Sequence, residues 1–199
     1  MIKVENVSFK YKNSDNLILD NLNFEVNDGE IVAIVGENGS GKSTIGKLIS
    51  GILKLKHGNI LIDNYNIKDK SIKDKMGIVF QNPETQIIFN NIYDELSMSL
   101  KNLGKEEIEK RIESSLEQVG MLEYKNKNLY SLSLGQKQRI MIAEVLAKQP
   151  KYIILDEPTT MIDTKGKEII MIPIQIIVVL FIEKMLRKPF DTYIRSNND

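Results

Sequence analysis

Residues 36 to 44 read Gly-Glu-Asn-Gly-Ser-Gly-Lys-Ser-Thr and satisfy the pattern G-x-x-x-x-G-K-[ST] at Gly36, Gly41, Lys42 and Ser43, with a further glycine at Gly39. Such a loop suits one kind of chemistry. Its glycines let the backbone wrap around phosphate oxygens without a side chain in the way, and its amides turn inward on the anion. Lys42 supplies positive charge for β and γ phosphates, and Ser43, opening a helix, offers a hydroxyl to Mg²⁺. The helix dipole adds about 0.3 to 1 kcal/mol toward anion binding. A second group lies far along the chain, where the apolar run Tyr152-Ile153-Ile154-Leu155 ends in Asp156-Glu157. Open α/β sheets place their ligand chemistry at the C-terminal tips of buried strands. There Asp156 is suited to hold Mg²⁺, directly or through water, and Glu157 to orient or deprotonate an attacking water. Taken singly, the loop could be a glycine-rich turn with a solvated lysine and the acids a solvated pair at a strand end. Together in one chain they point to a nucleotide site.

These groups need elements to hold them. The run Ile31-Val32-Ala33-Ile34-Val35 reads as a buried strand feeding the loop, and Ile45, Leu48 and Ile49 follow at helical spacing, so a helix is expected from about Lys42 to near Gly51. Ile2, Val4, Val7 and Phe9, then Leu17, Leu19, Leu22, Phe24 and Val26, form period-two runs separated by Asn- and Asp-rich turns, as in antiparallel strands. Residues 59–62 and 76–80 are further strand candidates. From Asn91 the period changes: Ile92, Leu96 and Leu100, then Ile108, Ile112, Leu116 and Val119, fit helices with charged outer faces. A last helix from Leu134 carries Ile140, Met141, Val145 and Leu146 inward and stops before Pro150.

Composition limits the remaining possibilities. Lys plus Arg total 27 and Asp plus Glu total 27, so no overall field draws the chain to nucleic acid or to an anionic membrane surface. With no cysteine, disulfides, thiolate metal sites and thiol nucleophiles are excluded, and a single histidine excludes a histidine-based metal cluster. His57 sits in the turn Lys56-His57-Gly58-Asn59 and reads as a solvated surface residue. The first residues alternate apolar and polar and lack the features of a signal peptide, so the chain is expected to stay in the cytoplasm.

Beyond the phosphate loop and the acidic pair, several stretches resemble the ATP-binding cassette (ABC) ATPases in order and spacing. Gln81, in Val79-Phe80-Gln81-Asn82-Pro83, falls at that family's Q-loop; Ser131-Leu132-Ser133-Leu134-Gly135-Gln136-Lys137-Gln138-Arg139 resembles its signature motif; Leu155 to Thr159 resembles its Walker B strand; and Asp163 matches its D-loop. The resemblance implies an α/β P-loop NTPase (RecA-like) core with an N-terminal antiparallel β subdomain and an inserted helical subdomain. On that basis residues 1–168 form the ATPase domain, with the helical subdomain at about 84–148. It implies ATP and Mg²⁺ as ligands. Tyr11 would stack on adenine, and Gly36, Glu37, Asn38, Gly39, Ser40, Gly41, Lys42, Ser43 and Thr44 would hold the phosphates. Ser43, Gln81 and Asp156 would hold the metal, and Glu157 and Gln81 would act in catalysis. Ser133, Gly135 and Gln136 would contact the ATP of a second subunit across a head-to-tail dimer. A helix cap at Ser133 alone explains the serine but not the Gly-Gln after it. Leu134 stands where the family usually has glycine.

Within the family, residues 80–86 and 157–163 look most like the ATPases of energy-coupling-factor importers, which take up vitamins or metal ions such as cobalt. That implies a second ATPase subunit, like or unlike, with a transmembrane coupling subunit, a substrate-binding membrane subunit, no nucleic acid, and a position on the inner face of the cell membrane. Ile87, Ile88, Phe89 and Ile92 would line a docking groove for the coupling subunit, or else serve as subdomain core. After Glu168 the resemblance stops, and residues 169–199 are expected to be an atypical tail and an incomplete end of the core. The apolar run 169–182 is interrupted by Pro173 and Gln175 and is too short to span a membrane, and no histidine follows it to serve as the family's switch residue. Residues 176–181 could stand in for the missing core strand. The favoured expectation is a frameshifted or truncated reading of a longer gene; a shortened functional ending, or a cassette that binds ATP but hydrolyses it poorly, are the alternatives. A soluble, non-transport cassette protein is the rival from another class.

Overall fold

The computed structural model describes residues 1–156, 177–183 and 191–195, the last two stretches as strand backbone alone. Nine strands and four α-helices lie within them: β1 (Ile2–Phe9), β2 (Leu19–Val26), β3 (Ile31–Gly36), α1 (Lys42–Ile49), β4 (His57–Ile62), β5 (Tyr65–Asn66), β6 (Met76–Val79), α2 (Ile92–Met98), α3 (Lys105–Gln118), α4 (Leu134–Ala147), β7 (Tyr152–Asp156), β8 (Ile177–Glu183) and β9 (Asp191–Arg195). No helix among the described residues is long and apolar enough to cross a membrane.

Two compact units can be separated. The first holds Met1–Ile78, residues 151–156 and the strands β8 and β9. Its antiparallel sheet has the order β2-β1-β4-β5, and its second sheet the order β6-β7-β8-β3-β9. In the first sheet the period-two expectation holds: Ile2, Val4, Val7 and Phe9 of β1 are buried. The register shifts between Val4 and Val7, where Asn6 takes φ 50. A bulge there bends the strand, and β4 passes close by. Gly58 fits this crossing because a Cβ on it would lie 2.4 Å from the Asn6 carbonyl oxygen. His57 is exposed at the first position of β4, as its turn context suggested.

In the second sheet, β3 lies between β8, parallel to it, and β9, antiparallel. A strand paired on both edges and covered on both faces is apolar throughout. Val32, Ile34 and Val35 of β3, and every residue of β7, are buried accordingly. Strand β8 lies where the run at 176–181 was offered as a substitute core strand, parallel to both β7 and β3. Strand β9 had no counterpart in the sequence reading, because its residues Asp-Thr-Tyr-Ile-Arg do not alternate cleanly in polarity.

The second unit, among described residues, is Val79–Pro150. It holds α2 and α3, where the period changes from Asn91, and α4, which begins at Leu134 as the later helical pattern indicates. Asn91 caps α2, its side chain accepting from the amides of Tyr93 at 2.8 Å and Asp94 at 3.4 Å. Ile112 and Leu116 of α3 and Ile140, Met141 and Val145 of α4 are buried. The outer face of α3 is charged: Lys125 pairs with both Glu109 and Glu113.

One polar cluster ties the first unit together. The β4–β5 turn is two residues long, Asp63 and Asn64, with φ 51 and 67, the left-handed pair that tight hairpins require. The Asp63 carboxylate accepts from Lys151 at 2.7 Å, from Lys75 at 3.1 Å and from the hydroxyl of the fully buried Tyr152. Burial works to raise the Asp63 pKa, but the bonds from Lys151, Tyr152, Lys75 and the Met1 ammonium outweigh it and hold the carboxyl well below the usual range. A depressed folded pKa stabilises the fold above the unfolded value of about 3.9, and that stability is lost as pH falls through the folded pKa. Asp63→Asn keeps the left-handed turn and removes the charge. It should lower unfolding stability by about 1.5 to 3 kcal/mol at pH 7. The gap to wild type should narrow below about pH 3.9, as followed by circular-dichroism melts; an equal gap at both pH values would rule out the carboxylate charge as its source.

Candidate functional site

The phosphate loop is built by the elements on either side of it. Strand β3 delivers Gly36, and the chain re-enters regular structure at α1, whose N-cap is Gly41 at φ 97. A Cβ at Gly41 would stand 2.8 Å from Leu19 Cδ2 and 3.0 Å from Ile18 Cγ2, so the backbone conformation and the crowding from β2 both demand glycine. Gly39 also takes positive φ, at 81. The Ile45 amide donates to the Gly41 carbonyl at 2.9 Å and starts the helical ladder.

Lys42 is 4% exposed, and its ammonium donates to the carbonyls of Gly36 at 2.8 Å and Glu37 at 2.9 Å. The loop therefore carries a fixed positive charge held by neutral oxygens. Ser43 donates its hydroxyl to Asp156 Oδ1 at 2.8 Å, although the two residues are 113 positions apart. Asp156 is 6% exposed at the tip of β7. A hydroxyl and a carboxylate in direct contact beside a phosphate loop form the oxygen donor set a hard divalent cation prefers. Ser40 Oγ is shielded from solvent and makes no hydrogen bond within the described residues. A buried hydroxyl without a partner costs about 1 to 3 kcal/mol, and a phosphate oxygen would offset that cost. The residues present thus fit a nucleoside phosphate with Mg²⁺.

A cavity of about 240 Å³ opens at the loop, lined by Tyr11 and Ile18 and by Asn38, Gly39 and residues 41–44. The Tyr11 hydroxyl lies 3.1 Å from Thr44 Oγ1, and the ring packs edge-on against Phe9 with centroids 5.1 Å apart. Ile18 was not singled out by the sequence reading. Its signal was the pairing of β1 with β2, which ties the Ile18 amide to the Phe9 carbonyl at 2.8 Å and brings Ile18 beside the aromatic pair.

The second unit carries the other candidates. Gln81 is exposed just after β6, ahead of a 3-10 turn at Pro83–Thr85 that Asn82 caps. Ser133 caps α4: the Gln136 amide donates to Ser133 Oγ at 3.3 Å, and the Ser133 amide donates to Gln136 Oε1 at 2.9 Å. Helix capping was expected to account for the serine alone. This reciprocal box accounts for Gln136 as well. A cavity of about 340 Å³ lies at this end of the helix, lined by Ser133, Gly135, Gln136, Tyr124 and Arg139 among others, and Gln136 Nε2 donates to the Tyr124 hydroxyl at 3.3 Å. Leu134 is 57% exposed beside it. The first unit thus brings together Tyr11, residues 36–44 and Asp156; the second carries Ser133, Gly135 and Gln136 at the start of α4 and Gln81 in a separate loop. Glu157 and Asp163 lie outside the described residues.

Because the Ser43 hydroxyl is committed to Asp156 rather than to the loop, Ser43→Ala should leave metal-free nucleotide affinity nearly unchanged. It should cut the tightening that Mg²⁺ brings by about tenfold, the worth of one charge-assisted bond. Titration with a fluorescent ATP analogue in Mg²⁺ and in EDTA reads both quantities, and an equal loss in the two conditions would contradict this assignment.

Residues 19–160 match the ABC transporter family. The energy-coupling factor transporter ATP-binding protein EcfA1 of Ligilactobacillus salivarius is 43% identical over 173 residues, which cover 84% of this chain. The chain spans 61% of that relative's length. Among solved structures, cbiO1 from Clostridium perfringens, part of the ABC transporter complex cbiONQ, superposes with a TM-score of 0.80 at 34% identity, covering 92% of this chain and 78% of that one. The ATP-binding cassette MJ0796, as a dimer in a post-hydrolysis state bound to ADP and Pi, superposes with a TM-score of 0.78 at 29% identity, covering 91% of this chain and 88% of that one. With its phosphate loop, strand-end carboxylate and sheet order in place, this chain belongs to the ABC transporter family and has the fold of its ATPase cassettes.

Proposed function

We propose that the chain is the ATP-binding and ATP-hydrolysing subunit of an importer of the energy-coupling factor type, powering the uptake of a vitamin or a metal ion from the inner face of the cell membrane. The observation that carries this reading is the hydrogen bond from Ser43 to Asp156 beside the buried Lys42 ammonium. It joins the two groups that would hold a metal, and Ser43 follows directly in sequence the lysine that would hold phosphate. The similarity to the EcfA1 protein supports the importer type.

Bound ATP with Mg²⁺ supplies the phosphoryl bond whose cleavage releases the work. The chain's own residues do the rest. The amides of residues 36–44 and the Lys42 ammonium would hold the phosphates, Tyr11 would pack on the base, and Ser43 and Asp156 would hold the metal, with Gln81 assigned to it by the family resemblance alone. Glu157, the residue after β7, takes a proton from the attacking water or orients it. Ser133, Gly135 and Gln136 act on the nucleotide of a second ATPase subunit, so that ATP favours a closed dimer through contacts an open one lacks. The exposed Leu134 at that surface limits how closely the second subunit's phosphate approaches.

The membrane partner would meet the loop after Gln81. Of the four apolar residues considered there, Ile92 is fully buried and belongs to the core, whereas Ile88 is 64% and Phe89 36% exposed. Buried Glu95 presents this pair: its carboxylate accepts from the amides of Ile88 at 2.9 Å and Phe89 at 2.6 Å. Burial raises the Glu95 pKa even against those bonds. Such a rigid apolar display suits a short helix of a membrane subunit.

Steady-state hydrolysis with a Glu157→Gln control tests the enzymatic reading. Magnesium-dependent turnover that falls by about 10²- to 10⁴-fold in the variant is expected. Turnover equal to the control would mean that the chain binds ATP without hydrolysing it. Copurification of the chain with a membrane subunit rather than with nucleic acid separates transport from a soluble cassette role.

A further inference from the structure

Helix α4 buries two polar side chains one turn beyond its cap. Lys137 is 7% and Gln138 3% exposed. Burying such groups is unfavourable unless their hydrogen bonds are made, so the partners they find are informative. Both partners belong to one short stretch. The Lys137 ammonium donates to Glu84 Oε1 at 2.6 Å and stands 5.7 Å from the centre of the Tyr130 ring. Gln138 Nε2 donates to the Phe80 carbonyl at 3.2 Å. Gln81 lies between those two anchor points. The stretch is further closed by the Phe80 amide, which donates to Gln86 Oε1 at 2.9 Å, and by the Asn82 cap on the Glu84 amide at 3.0 Å. At the other end, the Lys137 amide donates to the Ser133 carbonyl at 2.9 Å, and Ser133 is locked to Gln136 by the capping box. An unbroken chain of bonds therefore runs from Ser133 and Gln136, through the first turns of α4, to both sides of Gln81.

We propose that Lys137 and Gln138 are positioning residues that transmit the state of the Ser133–Gln136 segment to Gln81. This rests on the reading that the segment meets a nucleotide and that Gln81 acts at the metal. The pair is poorly suited to a purely stabilising role. Glu84 is 55% exposed, and a cation buried against a half-solvated carboxylate adds little over an apolar contact of the same size. What the two bonds do provide is direction. A small rotation of α4 moves the Phe80 carbonyl and the Glu84 turn together, and with them the Gln81 side chain between them. A physical coupling of this kind needs an element that two sites both bias, and α4 has one site at its cap and the other at its second turn.

Amide hydrogen exchange across residues 80–86, with and without saturating Mg-ATP, tests the proposal on the full chain, with ATP affinity measured on the same samples. The variants are Lys137→Met and Gln138→Met, which keep the stem volume and lose the donors, and Lys137→Arg, which keeps the cation. In wild type, Mg-ATP should slow exchange at residues 80–86 by about fivefold or more. Lys137→Met and Gln138→Met should keep ATP affinity within about twofold, as sites without shared partners do, and lose most of that slowing. Lys137→Arg should retain it, which a merely structural loss would not predict. A full response in both methionine variants, or a wild type that binds Mg-ATP with no change at residues 80–86, overturns the proposal. A wild type that binds no Mg-ATP overturns the underlying nucleotide reading and the proposal with it.

Discussion

A buried ammonium ion held by neutral oxygens is the constraint on which the nucleotide site depends. At 4% exposure the Lys42 side chain is accommodated by the carbonyls of Gly36 and Glu37, both of which accept from it. For that to happen the loop must curl back over the first turn of α1, and the curl requires left-handed backbone at Gly39 and Gly41. The same curl leaves a cavity of about 240 Å³ at the loop, the kind of backbone concavity that suits an anion. The packing of Leu19 and Ile18 against Gly41 then fixes the loop from outside, so strand β2 of the antiparallel sheet becomes part of the phosphate site's geometry.

The two units divide the chemistry unequally. The first holds the charge and the oxygen donors: the Lys42 ammonium on two loop carbonyls, and the Ser43 hydroxyl bonded to the Asp156 carboxylate. Among the described residues of the second, the helix end at Ser133 already uses the serine hydroxyl and the glutamine amide oxygen in its cap.

Much of this was legible locally. The phosphate loop, β3, α1 and the strand ending at Asp156 follow from glycine placement and from apolar runs, because each depends on neighbours in sequence. What escaped the sequence depends on distant pairs. Lys151 meets Asp63 across 88 positions, and no periodicity announces that contact. Ile18 reaches the nucleotide cavity only through the register of β1 with β2. The Ser133-to-Gln136 box is a different kind of miss, since Ser-x-x-Gln ahead of an apolar helix is itself a capping signal. Similarly, Lys137 and Gln138 look like ordinary surface residues of a helix until their burial is seen.

The place of β3 between β8 and β9 also bears on how the chain folds. Ile31 pairs with Val178 and Arg195, partners roughly 150 residues later or more, so the central strand of the nucleotide site forms the most non-local contacts described. During synthesis both edges of β3 must wait while the whole of the second unit emerges. For that interval its apolar faces and unpaired backbone need protection. The antiparallel sheet, assembled from residues 2–66, is complete much earlier. It can serve as the platform against which the unfinished strand rests.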